Sequence, residues 1–194
     1  MVGSILFTLA LGASAALGAP KETVNPYAPY AFLIGEWNVG APGGKAMAVA
    51  RFRWGPERSY IWYSVSLLEK DSEQPHMEGL LMWNGVRRNL DMLMTIDLKG
   101  GRAQEQGVVF VENDGTVVRD ITAYYSAGAG PEGAAAAGPE GATARFRQTF
   151  KPVGTDEVAT ALTRETGAGW VATFAGSERL VMRRRPEMKR LPPT

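Results

Sequence analysis

The chain has no cysteine and a single histidine. The first absence excludes a disulfide scaffold, iron–sulfur ligation, cysteine zinc sites and a thiol nucleophile. The second excludes any site that needs two imidazoles. An excess of one charge is missing too: 21 Lys+Arg face 20 Asp+Glu, a formal net charge of +1. No nucleic-acid partner is expected from that balance. No strongly apolar run reaches the ~20 residues that a membrane-spanning helix requires. No stretch longer than about a dozen residues keeps a 3.6-residue apolar period.

What is present is a 194-residue chain that is 45% hydrophobic. That is enough apolar material for a sizeable core in one domain, and it argues against a disordered chain. Residues 1–20 carry no charged side chain, and Lys21 is the first. The run Ile5-Leu6-Phe7-Thr8-Leu9-Ala10-Leu11 is followed by small residues, with an A-x-A pattern at Ala13-Ser14-Ala15 and a second candidate at Ala16-Leu17-Gly18. That order predicts a secretory signal peptide over residues 1–19 and export to the periplasm or the extracellular space, although the segment lacks the usual Lys or Arg ahead of its apolar run. A membrane anchor is the rival, but the apolar run is too short for one.

Beyond the leader, short alternating runs recur between turn residues, which is the signature of strands. Ten are predicted: 35–41, 46–54, 59–68, 76–84, 89–98, 102–112, 116–126, 143–152, 156–165 and 169–183. The last carries a bulge at Gly176-Ser177. Asn113-Asp114-Gly115 is a strong hairpin signal, and residues 69–75 read as a polar loop. Residues 128–142 hold Gly-Pro-Glu-Gly twice around four alanines and read as a low-complexity loop. Strands in hairpin succession without helical crossovers make the fold class all-β, a single up-and-down antiparallel barrel of about ten strands over residues 30–185. Closure removes the exposed edges. A sandwich is the alternative. Residues 186–194 form a basic, Pro-ending tail. On the eighth strand Phe146, Gln148 and Phe150 share one face and Arg145, Arg147 and Lys151 the other. Cations facing lipid would each cost a few kcal/mol at mid-bilayer, so the apolar face points inward and the barrel is not a membrane one.

The run Phe32-Leu33-Ile34-Gly35-Glu36-Trp37 resembles the Gly-x-Trp opening of the calycin superfamily, which includes lipocalins and fatty-acid-binding proteins. Residues 30–185 as a whole resemble a family of exported bacterial lipocalin-like domains of unknown function, whose last strand ends in arginine, here Leu180-Val181-Met182-Arg183-Arg184. The resemblance implies a barrel whose floor is closed by Trp37 with a last-strand arginine across its face. Parity with Leu180 and Met182 selects Arg184 for that structural role. It implies no activity. Nitrobindin-like barrels, distantly similar, hold haem through a late histidine; this chain has none after His76, and no cofactor is expected.

Apolar parity gives the interior. Met77, Leu81 and Trp83 point inward from the fourth strand, and Leu90, Met92, Met94 and Ile96 from the fifth. Val117, Arg119, Ile121, Ala123 and Tyr125 do so from the seventh, Phe146, Gln148 and Phe150 from the eighth, and Val158, Thr160, Leu162 and Arg164 from the ninth. Trp170 and Phe174 are the inward residues of the tenth. The third strand is ambiguous, since Ile61, Tyr63, Val65 and Leu67 oppose Trp62, and the sixth is undecided. The candidate ligand-binding residues are Tyr63, Trp83, Met92, Met94, Arg119, Tyr125, Gln148 and Arg164. Methionines adapt to varied apolar shapes, and the two arginines can pair with an anionic head group. The opposing reading is a filled core, with those arginines at the rims or paired with Asp120 or Glu112. A ten-strand barrel encloses more room than the ~8 strands that side chains can just fill. No catalytic constellation and no metal cluster is visible around the one histidine. The expected protein is a monomer whose partner is a small apolar or amphipathic molecule. An enzyme acting on such a molecule and an interaction module with a filled barrel are the alternatives.

Overall fold

The computed structural model describes residues 25–70, 72–98, 101–127, 129 and 141–186. The predicted signal peptide, most of the 128–142 loop and most of the tail lie outside them. A 3-10 helix, Ala28–Leu33, leads into β1 (Gly35–Gly40), β2 (Ala46–Trp54), β3 (Ile61–Glu69), β4 (Ser72–Asn84), β5 (Asn89–Leu98) and β6 (Gly101–Val111). Then follow β7 (Val117–Tyr125), β8 (Ala142–Pro152), β9 (Glu157–Thr166), β10 (Gly169–Ala172) and β11 (Leu180–Arg184). Each strand from β1 to β9 pairs antiparallel with the next, β9 pairs with β11, and β11 returns to β1. The result is a closed antiparallel barrel with ten positions in its wall, compatible with a calycin-like fold. Among the described residues no helix is long and apolar enough to cross a membrane.

The tenth position differs from the prediction. The run 169–183 is two strands that share one edge of β9, β10 against Thr163–Thr166 and β11 against Glu157–Thr160. Between them the chain leaves the wall and makes a tight turn ending in a 3-10 helix, Ser177–Arg179, entered through Gly176 at φ 88°. The Ser177 hydroxyl accepts the N–H groups of Thr173 and Phe174 and donates to the Leu162 carbonyl at 2.7 Å. That buried serine holds the break shut. Like a bulge, the break resets side-chain alternation, but it does so by taking the chain out of the wall. Trp170, predicted inward, therefore sits opposite Glu165 on the outer face, its ring under the Arg147 guanidinium at 4.9 Å.

A second difference is at residues 69–75. Ser72 to Pro75 continue β4 and pair with β3, with a register shift between Val65 and Ser66 that makes His76 the extra residue. The shift lets polar residues stay in the ladder where the alternation fails. The third strand resolves with Ile61 and Tyr63 buried inside. The sixth resolves with Ala103, Glu105 and Val109 inside.

Candidate functional site

The barrel is filled at one end and hollow at the other. At the filled end the 3-10 helix lies across the opening, because Tyr27, Tyr30 and Leu33 are apolar enough to bury and long enough to reach three walls. The Tyr30 hydroxyl donates to the Val109 carbonyl at 3.2 Å. That of Tyr27 donates to the Ser59 carbonyl and accepts the Trp83 N–H at 2.9 Å. Trp37 is 1% exposed and donates its indole N–H to the Leu33 carbonyl at 2.7 Å. Arg184, its cross-strand neighbour, lays its guanidinium 4.2 Å from the indole centroid and donates to the Ile34 carbonyl at 3.0 Å and to Asp156 at 2.9 Å. Above this plug Phe52 stacks on Tyr63, with centroids 4.2 Å apart, and meets Phe150 edge-on at 5.9 Å. Leu81, Leu90 and Val117 fill the remaining space.

The hollow end is a cavity of about 520 Å³, within the ~300–1,000 Å³ that small-molecule sites occupy. Val65, Met77, Ile96, Ile121, Phe146 and Leu162 form its apolar walls, with Met47, Leu68, Glu69 and His76 toward the mouth. Its polar floor lies at mid-height. There Arg119, 1% exposed, donates from Nε to the Met92 sulfur at 3.2 Å, from Nη2 to Glu105 Oε2 at 3.1 Å and from Nη1 to Gln148 Oε1. The Tyr63 ring lies 4.9 Å beneath the guanidinium. A buried guanidinium survives only when paired and hydrogen-bonded, and four side chains from four strands supply that here. Burial pushes the Glu105 carboxyl above its ordinary range, against the pull of Arg119. Burial likewise raises the Tyr63 phenol, and it takes that of Tyr125 to about 12.

Of the eight residues proposed from sequence, the fold brings Tyr63, Arg119, Tyr125 and Gln148 to the cavity wall. Met92 supports Arg119, and Met94 is wholly buried beneath the Gly79 backbone, where a Cβ would meet its sulfur at 2.7 Å. Trp83 packs against the core at the plugged end, and Arg164 is half-buried opposite Phe146; neither lines the cavity. The partner of Arg119 is Glu105, not Asp120 or Glu112: Asp120 faces outward and binds Arg147 at 2.7 Å and 3.0 Å. Glu105 was missed because its strand shows no clear apolar parity. His76, the extra residue of the β3–β4 shift, lines the cavity with Nδ1 3.0 Å from the Asp97 carbonyl, so Nδ1 carries the proton. Among the described residues no three or more His, Asp or Glu side chains gather as a metal site.

The chain matches no protein-family model and no curated protein.

Proposed function

We propose that this is an exported, non-catalytic barrel that binds a small apolar or amphipathic molecule in its hollow half, as a member of the lipocalin-like group its sequence resembles. One observation carries the reading: a cavity of about 520 Å³ with an apolar wall ends on a single buried polar cluster. Side chains that merely filled a barrel would leave no such volume, and a buried ion pair is expensive to keep in a wall that is otherwise apolar. The cluster is closed on itself as guanidinium, carboxylate and amide. It presents no nucleophile beside a base, which favours a binder over an enzyme.

The test is fluorescence of N-phenyl-1-naphthylamine, a neutral probe that brightens in apolar surroundings. The wild-type protein is expected to bind it saturably with one site. Leu162→Trp, which places an indole into the cavity from a half-buried wall position, is expected to weaken binding at least tenfold while the unfolding midpoint stays within a few degrees. Equal probe binding by both proteins would place the probe elsewhere and end the reading.

A further inference from the structure

The ligand-binding reading leaves open which polar end the cavity accepts, and the floor narrows it. Arg119 faces the cavity but is already neutralised by Glu105. Its Nε, Nη1 and Nη2 each have a partner in the protein. Glu105 uses Oε2 for Arg119, and its Oε1 receives no hydrogen bond from the described residues. Gln148 uses Oε1 for Arg119, and its amide group also reaches the Tyr63 hydroxyl, which leaves one amide N–H for a ligand. The floor therefore offers one strong acceptor and one neutral donor, held on β6 and β8, either side of β7, by the same guanidinium. Around it, the charged groups lining the cavity are Glu69, Glu105 and Arg119, two carboxylates against one cation, with His76 at the mouth. Arg164 stands outside the lining. A ligand carboxylate on this floor would meet the Glu105 carboxylate at close range where little water screens it. A ligand ammonium would meet Arg119.

We propose that the cavity selects molecules whose polar end is uncharged and both donates and accepts a hydrogen bond, such as a primary alcohol or primary amide on an alkyl chain, seated on Glu105 Oε1 and the Gln148 amide. This rests on the ligand-binding reading above. Buried polar groups reject a partner that cannot satisfy them more strongly than apolar walls reject a wrong shape, so the head group is where selectivity should appear.

The experiment is displacement of N-phenyl-1-naphthylamine at pH 8 by dodecan-1-ol, dodecanamide, dodecanoate and dodecylamine, each below its micelle concentration. The alcohol and the amide are expected to displace the probe at concentrations at least tenfold lower than the carboxylate or the amine. In Glu105→Gln, which removes the charge and keeps the shape, dodecanoate is expected to come within threefold of the alcohol. Dodecanoate or dodecylamine equalling the alcohol on the wild-type protein would overturn the proposal while leaving the ligand-binding reading in place. A probe that binds but yields to none of the four would also overturn it. Failure of the probe itself to bind would instead strike the ligand-binding reading. Should Glu105→Gln not fold, the wild-type series decides alone.

Discussion

Gly35 is where the plug can be probed most sharply. Its φ is +136°, and a Cβ built on it would stand 2.5 Å from Nη1 of Arg184. Gly35→Ala should therefore cost in two ways. Forcing an L side chain into that backbone region costs about 1–3 kcal/mol. The methyl also drives the guanidinium off its seat, losing a cation–π contact of roughly 0.5–2 kcal/mol and a charged hydrogen bond whose value, about 1.5–3 kcal/mol, is reduced because the Arg184 side chain is one-third exposed. Taking about 2–3 kcal/mol for the arginine, Gly35→Ala should lose roughly 3–6 kcal/mol and Arg184→Ala about 2–3 kcal/mol. The double variant decides. With the arginine gone, the methyl has nothing to displace, so Gly35→Ala/Arg184→Ala should be no less stable than Gly35→Ala. The coupling would then equal the arginine's own contribution, about 2–3 kcal/mol. Urea unfolding at constant m gives all four values. Strictly additive losses would refute the idea that glycine is required here to let Arg184 cover Trp37.

Phe52→Ala removes the ring that stacks on Tyr63 and touches Phe150; a loss of about 3–5 kcal/mol in urea is expected, with probe affinity falling because the cavity floor loses its support. Because burial raises the Glu105 carboxyl in the folded state, ionising it costs folding free energy. Its stabilising contribution is whole below the ordinary carboxylate range and is lost as pH rises toward the raised value. Urea midpoints from pH 4 to 8 should therefore fall for wild type relative to Glu105→Gln, and parallel curves would exclude the assignment. Glu36 and Glu73 are held low, Glu36 by Arg53 and Arg51 against its burial and Glu73 by Arg185 and Arg51. Glu73→Gln should therefore flatten the loss of stability as pH falls through the carboxylate range. Intact mass of the protein recovered from its native compartment should lack the first 15 or more residues; a full-length soluble cytoplasmic form would refute export.

Much of this arrangement could be read from alternation alone. β5 alternates strictly, and apolar parity on it, on β7 and on β8 gave the buried Met92, Met94, Arg119 and Phe146. Trp37 and Arg184 could be brought together because closure makes the first and last strands neighbours. Glu105 was legible too, but only through register. The Asn113-Asp114-Gly115 turn pairs Val109 with Arg119 and Glu105 with Ala123, so an inward Arg119 obliges an inward Glu105. Polarity argued against that placement and register required it. What alternation could not show is the break after β10. It depends on the Ser177 hydroxyl replacing ladder hydrogen bonds, a contact between the turn after β10 and the distant β9 that no single stretch announces. Nor could it show the division into filled and hollow halves, which depends on where Phe52, Tyr63 and Phe150 meet across the lumen.

The split tenth position has a consequence for how the wall meets its surroundings. β10 has β9 on one side and no described strand on the other, so the closed ring carries one short loose hem. An open edge invites another chain to add itself as a further strand. This one offers only Gly169–Ala172 before the chain turns away, too little backbone to template a partner. The same hem adjoins Thr173 and Phe174, which line the cavity. Fewer ladder hydrogen bonds hold the wall here than along its full-length strands, and Ser177, bonded to Thr173, Phe174 and Leu162, is the stitch that ties the hem to β9.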